Sequence, residues 1–596
     1  MGNQIDILIE WAKQKKRWPL LLMLAIPLAL FPFSQNYYEL SFKDTFCCWF
    51  FWVSNGLIFF LSGTLYWAVS YQELCRLWVC IPLTFFGIVL ILGGLWQLTP
   101  LPLPEDKLFV AIARFTPVSS VAKEEADNIA HRIKQELCEK QREGAPLEIR
   151  GLLTQVDGLD EQARHRSAIL LCKSRKGNAH IILWGEVRKD EKELYVEPHF
   201  TVARQMQNAR IEERNLKNYT NYEPEHIDFK KRLSNEIADI VTLVYGLAYY
   251  KTGRWDQAIQ ILDHVQSNEG YLYKGLCLHN RAEQSVNPQK DLQAAIEIYE
   301  KILGPDPLNL TLQSDLLTWT AYTNRANVIV ALSLFAQPKE SLAQLKYAVN
   351  VYRIAIQVVY TLAKLPQYYA MTQTNLGYAL FDLGFRSGGE EGNKFLREGV
   401  AAYRAALQVY KRKELPYDWA ITKTNLGYAL STLGFRLEGE EGNKSLREAV
   451  KACRAALIVN TRVRQPQQWA KTKNSLGYAL GNLGSRLEGE EGNKLLREAV
   501  EAYKAGCQVC TREALPQYWA MTQNNLGYVL YELGFRVRGD KGMRYLNESL
   551  TCLNNASSIL DEINYQEQHK QILASKSKVL RLIDSLCASK PRTFRP

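Results

Sequence analysis

The chain has 596 residues, of which 47% are hydrophobic and 11% aromatic, and its formal net charge is +11. This length is too great for one hydrophobic core, and this composition excludes a largely disordered protein. Lysine and arginine alternate with glutamate in the C-terminal half rather than gathering in blocks, so no nucleic-acid partner is expected.

Three apolar stretches occupy the first hundred residues and predict a membrane anchor over residues 1–103, with transmembrane helices at about 18–38, 46–69 and 77–98. A helix needs roughly 20 apolar residues to cross a bilayer, and tryptophans flank these stretches as they do at membrane interfaces. A cleaved signal peptide is disfavoured because no small-residue cleavage site follows the first stretch. The lipid bilayer is therefore an expected partner.

The orientation of this anchor is open on the sequence alone. The basic cluster at Lys13–Arg17 favours a cytoplasmic N-terminus, which would place the large remainder on the other side of the membrane after three spans. Eight of the twelve cysteines lie beyond residue 104, and several replace core residues of repeat helices, which suits a reducing compartment. We predict an integral protein of a bacterial inner or thylakoid membrane and favour a cytoplasmic position for residues 104–596.

Residues 104–203 predict a small α/β domain with the element order β-α-β-α-β-β. The apolar runs Phe109–Arg114 and Ile181–Glu186 resemble the N-terminal domain of TolB-like proteins. That resemblance implies a non-catalytic interaction or sensing module. The charged residues 204–232, which are poor in aliphatic side chains, predict a linker or a capping helix.

Residues 233–365 predict shorter, degenerate helical hairpins. The first contains Tyr245–Tyr249 and Gly253, the second centres on Gly275, and the third follows from Ala321. Glycine and alanine at helical spacing mark each hairpin, and a chain of such units buries a continuous core through neighbour contacts.

From Pro366 to about residue 560 one pattern occurs four times at a period of 50 residues. Prolines 366, 416, 466 and 516 open the four copies, and a fixed period of this size indicates stacked supersecondary units. In the second copy we predict helices from about Trp419 to Leu433 and from Asn443 to Val463. Gly434 should end the first helix as a C-terminal cap. Residues 561–596 predict a capping helix and a tail.

The second copy carries Asn425-Leu426-Gly427, followed by Ala449, Cys453 and Ala456. This alternation of small and large residues resembles the tetratricopeptide (TPR) repeat. The standard TPR is about 34 residues long, and we place the excess in the connection Phe435–Lys444 and around Pro466. The fold class that follows is multidomain: transmembrane helices, a small α/β domain and an all-α TPR superhelix, or α-solenoid, of about seven repeats.

No segment of the sequence meets the requirements of a phosphate-binding, redox or metal-binding motif. Gly439–Lys444 has the composition of a phosphate loop, but its glycines are too close together and a helix, not a strand, precedes it. Cys507 and Cys510 form a C-x-x-C inside a repeat helix, where two small apolar residues explain them better than redox chemistry. The histidines show no metal-ligand spacing. We therefore predict no catalytic residue, no cofactor, no metal and no enzyme.

With catalysis disfavoured, we interpret the repeats as a surface that binds a protein or peptide. The TPR resemblance implies that the first helix of each repeat lines a concave groove, with the tyrosine after the motif glycine facing it. Tyr provides contact area with a polar tip, and Asn can bond a peptide backbone. The alternative is that these residues only pack neighbouring repeats together. The predicted partner-binding residues are Tyr378, Tyr428, Tyr478, Tyr528, Asn375, Asn425, Asn525, Asn474, Asn524 and Lys471.

We therefore predict a membrane-anchored scaffold or adaptor that binds a protein or peptide through its helical array and has no chemistry of its own. One alternative is a membrane signalling receptor whose α/β domain senses a ligand and whose repeats relay it. Another is a regulatory subunit of an enzyme on a different chain.

Overall fold

The computed structural model describes residues 106–588, except for 119–122, 157–160, 174–178, 190–193, 203–225, 229–230, 233–235, 305–315, 563–565 and the single positions 284, 286, 362, 514 and 538. By their internal contacts the described residues form two compact units, one ending at Arg254 and one beginning at Trp255. The described chain is mostly helical, and the second unit is a solenoid-like stack of helical hairpins.

The first unit contains a mixed β-sheet and three helices within its described residues, and the predicted elements are found in the order β-α-β-α-β-β, with the two-residue strand β2 added after the first strand. Its elements are β1 Leu108–Arg114, β2 Thr116–Pro117, α1 Lys123–Arg142, β3 Leu147–Gln155, α2 Glu161–Lys173, β4 Ile181–Lys189, β5 Leu194–Val202, β6 His226–Asp228, β7 Lys231–Arg232 and α3 Glu236–Lys251. Two of them, β6 and β7, are strands in a segment predicted to be a linker or a helix.

The sheet runs in the order β3-β1-β4-β5-β6, with β2 beside β4 and β7 beside β5. β1 pairs in parallel with β3 and β4, because a helix carries the chain back between them, whereas β4 and β5 form an antiparallel hairpin. Buried Phe109, Ile182 and Trp184 form part of its core. The Trp184 indole N–H donates to Thr201 Oγ1 at 2.9 Å, which satisfies the polar end of this buried ring.

Helix α3 belongs to the first unit. Its contacts with α1 include Lys140, whose Nζ lies 5.6 Å from the ring centroid of Tyr245. The sequence predicts that Tyr245–Tyr249 belongs to the first short helical hairpin of the repeats. By its contacts, this segment packs instead with the α/β sheet's own helix.

The second unit is a succession of helical hairpins in which each helix packs against the next. Its helices are α4 Trp255–Leu262, α5 Asn268–Ala282, α6 Pro288–Leu303, α7 Leu316–Leu332, α8 Pro338–Val358, α9 Pro366–Arg386, α10 Gly389–Val409, α11 Pro416–Arg436, α12 Gly439–Ala456, α13 Pro466–Arg486, α14 Gly489–Cys507, α15 Pro516–Val537, α16 Gly539–Glu562 and α17 Gln566–Ala588. Proline stands at the start of each long first helix, where its missing N–H costs nothing.

The predicted C-terminal cap at Gly434 is wrong. Helix α11 continues through Gly434 to Arg436, and the residue with positive φ is Gly439, at +63°. Only Leu437 and Glu438 separate α11 from α12. The 50-residue period therefore comes from long helices of 21 and 18 residues and from the junction after α12, not from a long glycine-rich connection.

Gly434 is needed for close helix packing instead. A Cβ placed on it would come within 2.9 Å of the Gly442 carbonyl oxygen and of Leu446 Cγ. The motif glycine Gly427 is equally tight, since a Cβ there would lie 2.5 Å from Cys453 Sγ. The predicted alternation of small and large residues is thus confirmed as the contact between the two helices of one repeat.

An arginine at the end of each of α11, α13 and α15 joins that repeat to the preceding long repeat. Arg436 donates to the carbonyls of Gly384 and Phe385 in the preceding repeat, both at 2.8 Å. Arg486 donates in the same way to Phe435 and Leu437, at 2.8 and 2.7 Å. The last carbonyls of a helix lack partners within it and carry the negative end of its dipole, so a guanidinium satisfies both needs.

Replacing Arg486 by methionine should lower the free energy of unfolding by about 2 kcal/mol, because two charge-assisted hydrogen bonds to helix-terminal carbonyls are lost. Denaturant unfolding followed by circular dichroism measures the change. Exposed Arg464, on the neighbouring junction, provides the control: Arg464→Met should leave the midpoint unchanged. Equal midpoints for both variants would show that the arginine bridges do not hold the repeats together.

The predicted localisation as an integral membrane protein is corrected by the helices that the structure describes. Between residues 106 and 588, none of those helices combines the length and the apolar character that crossing a bilayer requires. The predicted spans at 18–38, 46–69 and 77–98 lie outside the described residues. We therefore withdraw the membrane assignment, and with it the bilayer as a partner.

Candidate functional site

One face of the first helices α9, α11, α13 and α15 carries the predicted tyrosines, and we call it the tyrosine face. Adjacent first helices contact one another, so their equivalent side chains lie side by side. Residues seven apart fall on the same side of a helix. The tyrosine face comprises Met371, Tyr378 and Phe385; Ile421, Tyr428 and Phe435; Lys471, Tyr478 and Ser485; and Met521, Tyr528 and Phe535.

The tyrosine face exposes several large apolar side chains. Phe385, Phe435 and Phe535 keep 52%, 55% and 49% of their surface accessible, and Met521 and Tyr528 are exposed to a similar extent. Single exposed apolar residues are common, but a row of them at one position of successive repeats is typical of an interaction surface. These phenylalanines are not among the predicted binding residues, although they occupy the same position in three of the four copies.

The tyrosines themselves have two roles. Tyr378, Tyr428 and Tyr478 are half-buried, and the Tyr428 and Tyr478 rings lie 5.5 Å apart, centroid to centroid. Tyr428 also contacts Phe381 at 5.1 Å, and both tyrosines pack against the core of the long repeats. Burial raises the pKa of Tyr428 and Tyr478, so their phenols stay protonated. They pack the repeats together and still present an edge to the surface.

The predicted asparagines divide into two groups. Asn375 is 1% exposed, and its amide nitrogen donates to Asn327 Oδ1 at 3.1 Å, an atom that also accepts from the Tyr352 hydroxyl. Asn425 is buried as well. These two lie in the packing between helices rather than on the tyrosine face.

Asn474, Asn524 and Asn525 are half-buried on α13 and α15. Asn474 and Asn524 stand four residues before Tyr478 and Tyr528, one helical turn away on the same side, so they border the tyrosine face. The binding role of all the predicted asparagines remains a prediction.

Threonines occupy the corresponding position of the two earlier copies and connect the repeats. Thr424 Oγ1 lies 2.9 Å from Thr472 Oγ1 of the next first helix, and Thr374 Oγ1 lies 3.5 Å from Thr422 Oγ1. All four hydroxyls are buried. These contacts fix the spacing of neighbouring first helices, and hence the spacing of the aromatic side chains on the tyrosine face.

Charge is distributed unevenly on and beside the tyrosine face. Lys471 is 8% exposed, and burial lowers its pKa to about 7. Asp382 on α9 and Glu532 on α15 are carboxylates four residues after a face tyrosine, and burial raises the pKa of each. The long side chain of Lys471 replaces the methionine or isoleucine that the other three copies have at its position.

The second helices present a different, charged surface. Arg404 pairs with Glu448 of the next repeat at 2.8 Å, and Arg454 pairs with Glu498 at 2.7 Å. These pairs are solvent-exposed, so each contributes little to stability. The interleaved charges of the repeats thus form a solvated face on these second helices.

The C-x-x-C cysteines are placed for packing. The prediction that both lie inside a repeat helix is wrong for Cys510: Cys507 is the last residue of α14, and Cys510 is buried in the junction after it. Burial raises the pKa of both thiols, that of Cys510 to about 12, which is the opposite of an activated thiolate. The described residues also contain no group of three or more potential metal ligands.

Comparisons with known proteins give only structural matches of low TM-score. No family model and no curated protein matches the chain. Rap protein complexed with competence and sporulation factor is similar at 13% identity over 60% of this chain and 89% of that one, with a TM-score of 0.31. The APC/C hetero-tetramer Cut9–Hcn1 is similar at 13% identity over 99% and 97% of the two chains, with a TM-score of 0.26.

A circular tandem repeat protein with novel repeat topology is similar at 14% identity over 59% of this chain and 84% of that one, with a TM-score of 0.23. Rap protein and Cut9–Hcn1 are TPR-like helical repeat proteins. These TM-scores are too low to support a conclusion about this chain. Its repeat architecture rests on the observed helices, and the TolB-like resemblance of residues 104–203 remains a prediction.

Proposed function

We propose that this chain is a protein-interaction scaffold that binds a segment of a partner protein across its tyrosine face. The observation that carries this proposal is the row of half-exposed phenylalanines at positions 385, 435 and 535. A soluble surface gains nothing from exposing the same large ring in three repeats, whereas a partner that covers these rings gains about 25 cal/mol for each Å² of apolar surface buried.

The geometry of the face supports a peptide-like partner. Its residues recur from one helix to the next, and on α9, α11 and α15 a tyrosine lies between two large apolar side chains. An extended or helical segment also presents side chains at regular intervals and can meet such a row at several points. The phenols of Tyr378, Tyr428 and Tyr478 add polar edges between the apolar contacts.

The central variant changes Phe385, Phe435 and Phe535 together to serine. The equivalent residue of the third copy is already Ser485, so the fold tolerates serine at this position. Random peptides displayed on phage are selected against the immobilised full-length chain and against the triple variant. We expect the parent to enrich a family of peptides and the triple variant to enrich none of them.

The matched control removes exposed apolar surface elsewhere in the same repeats. Ile458 and Val463 are 62% and 94% exposed in the junction after α12, off the tyrosine face. The double variant Ile458→Ser with Val463→Ser should recover the parent's peptides. Equal enrichment by the parent and the phenylalanine variant would contradict the proposed function, as would the absence of any enriched peptide with the parent.

A further inference from the structure

Glu532 is a carboxylate beside the tyrosine face that no cation contacts. It follows Tyr528 by four residues on α15, is half-buried, and forms no hydrogen bond or ion pair with any residue that the structure describes. Burial raises its pKa, and the charge of Arg536 on the same helix offsets this only in part. Such a carboxylate has lost part of its hydration without gaining an ion pair, which is unfavourable.

Arg536 does not pair with Glu532 because it binds the preceding repeat. Its guanidinium donates to three carbonyls at the end of α13, at 2.6 to 3.0 Å. The first long repeat has the alternative arrangement, in which Arg386 Nε donates to Asp382 Oδ1 at 3.2 Å and pairs this carboxylate within its own helix. The two copies between them carry an uncharged threonine and an asparagine at this position.

The end of α15 differs from the other three first helices in a second way. The last carbonyls of α9, α11 and α13 each accept from an arginine of the next repeat. The helix that follows α15 in this stack is α17, and it has Leu586 at the position 50 residues after Arg536. The terminal carbonyls of α15 therefore receive no guanidinium from α17. These carbonyls are the negative end of the helix dipole, so they add to the negative charge of Glu532.

Tyr528 and Phe535 place aromatic rings on either side of Glu532. They lie four residues before it and three residues after it, which puts all three side chains on one side of the helix. The two rings keep 45% and 49% of their surface exposed. The face of an aromatic ring attracts a cation, and the aliphatic stem of a basic side chain can cover such a ring while its charged end pairs with the carboxylate.

We infer that Glu532, together with the rings of Tyr528 and Phe535, binds an arginine or lysine side chain of the partner segment. This inference rests on the proposed function and specifies the chemistry of its partner. The basic side chain pairs with the Glu532 carboxylate, and apolar residues next to it in the segment cover the other exposed rings of the tyrosine face.

The decisive variant is Glu532→Gln, which keeps the size of the side chain and removes its charge. It should not lower the melting temperature, because the charge has no ion pair to lose. Glu501→Gln is the control, since Glu501 is exposed on the second helix α14 and its replacement changes the net charge equally.

Random phage-displayed peptides are selected against each full-length protein. The parent and Glu501→Gln should enrich peptides that carry an arginine or lysine next to apolar residues. The net charge of +11 repels basic peptides in general, so this preference would report a local site. Peptides from Glu532→Gln should lose the basic preference and keep the apolar one.

The Kd of one parent-selected peptide should rise about tenfold in Glu532→Gln and stay unchanged in Glu501→Gln, because a charged contact is lost only in the first. If Glu532→Gln still selects basic residues, or if Glu501→Gln loses them equally, the inference is wrong. Parent-selected peptides without a basic preference would also overturn it while leaving the proposed function intact. A parent that selects no peptide would instead overturn the proposed function itself.

Discussion

Replacing Gly434 by valine is expected to lower the free energy of unfolding of the repeat unit by about 3 kcal/mol, since overpacking a close helix contact forces the helices apart. A Cβ at this position would come within 2.9 Å of the Gly442 carbonyl oxygen and of Leu446 Cγ. The branched side chain of valine extends further in the same direction. Neither the backbone carbonyl nor the buried leucine can move away without separating α11 from α12.

Gly388→Ala is the matched control, because a Cβ on Gly388 meets no atom within 4 Å and its φ of −71° suits any residue. Thermal unfolding of the full-length variants, followed by circular dichroism, measures both changes. The control should melt close to the parent, because the equivalent residues at the start of α12 and α14, Glu438 and Glu488, already carry a side chain at this position. A parent-like melting temperature for Gly434→Val would refute the close-packing role.

Changing Tyr428 and Tyr478 together to alanine is expected to lower the free energy of unfolding by about 4 kcal/mol, since two half-buried rings that contact each other leave the core of the long repeats. Peptide binding should be lost as well, because a buried aromatic anchor at an interface contributes about 2 kcal/mol or more. Melting and binding are measured on the same preparation of full-length protein.

The conservative pair Tyr428→Phe with Tyr478→Phe separates packing from recognition. It keeps both rings in place, so its melting temperature should stay near that of the parent, while any peptide contact with the phenols is weakened. If the alanine pair loses stability but binds unchanged per folded molecule, the tyrosines are packing residues only.

The stack of helical hairpins could be predicted from the sequence because the pattern repeats without a shift in register. Gly427 and Cys453 illustrate why this works: small residues at fixed spacing predict close helix contact, and a Cβ on Gly427 would indeed lie 2.5 Å from the cysteine sulfur. The four copies repeat the same contact with Tyr403, Cys453, Tyr503 and Leu553. Repetition therefore predicted the pairing of helices reliably.

The role of individual glycines could not be predicted in this way. A glycine after the last apolar residue of a helix serves equally well as a left-handed cap and as a point of close approach. The two roles can be distinguished only when the backbone angles and the position of the second helix are known. In the structure Gly434 is the point of close approach, and Gly439 is the residue with positive φ. The glycine-rich segment that resembled a phosphate loop is thus the start of α12, with Glu440 and Glu441 in its first turn.

The candidate site was predicted in part, because the period of a helix shows which residues share a side but not what that side meets. Asn375 and Tyr378 lie three residues apart, yet Asn375 is buried against Asn327 while Tyr378 stays half-buried at the surface. The arginines at the ends of the first helices recur in all four copies, and phenylalanine precedes them in three of the four, so the sequence carried a signal for both sets. Their roles became visible only with the neighbouring repeat in place.

The affinity of one selected peptide for the parent and for the triple phenylalanine-to-serine variant tests the central claim most directly. The peptide carries a fluorophore, and anisotropy titration gives its Kd for each full-length protein. We predict that the Kd rises at least about tenfold in the triple variant, which corresponds to roughly 1.4 kcal/mol, while the Ile458 and Val463 control binds as the parent does. The same Kd for all three proteins would contradict binding at the tyrosine face.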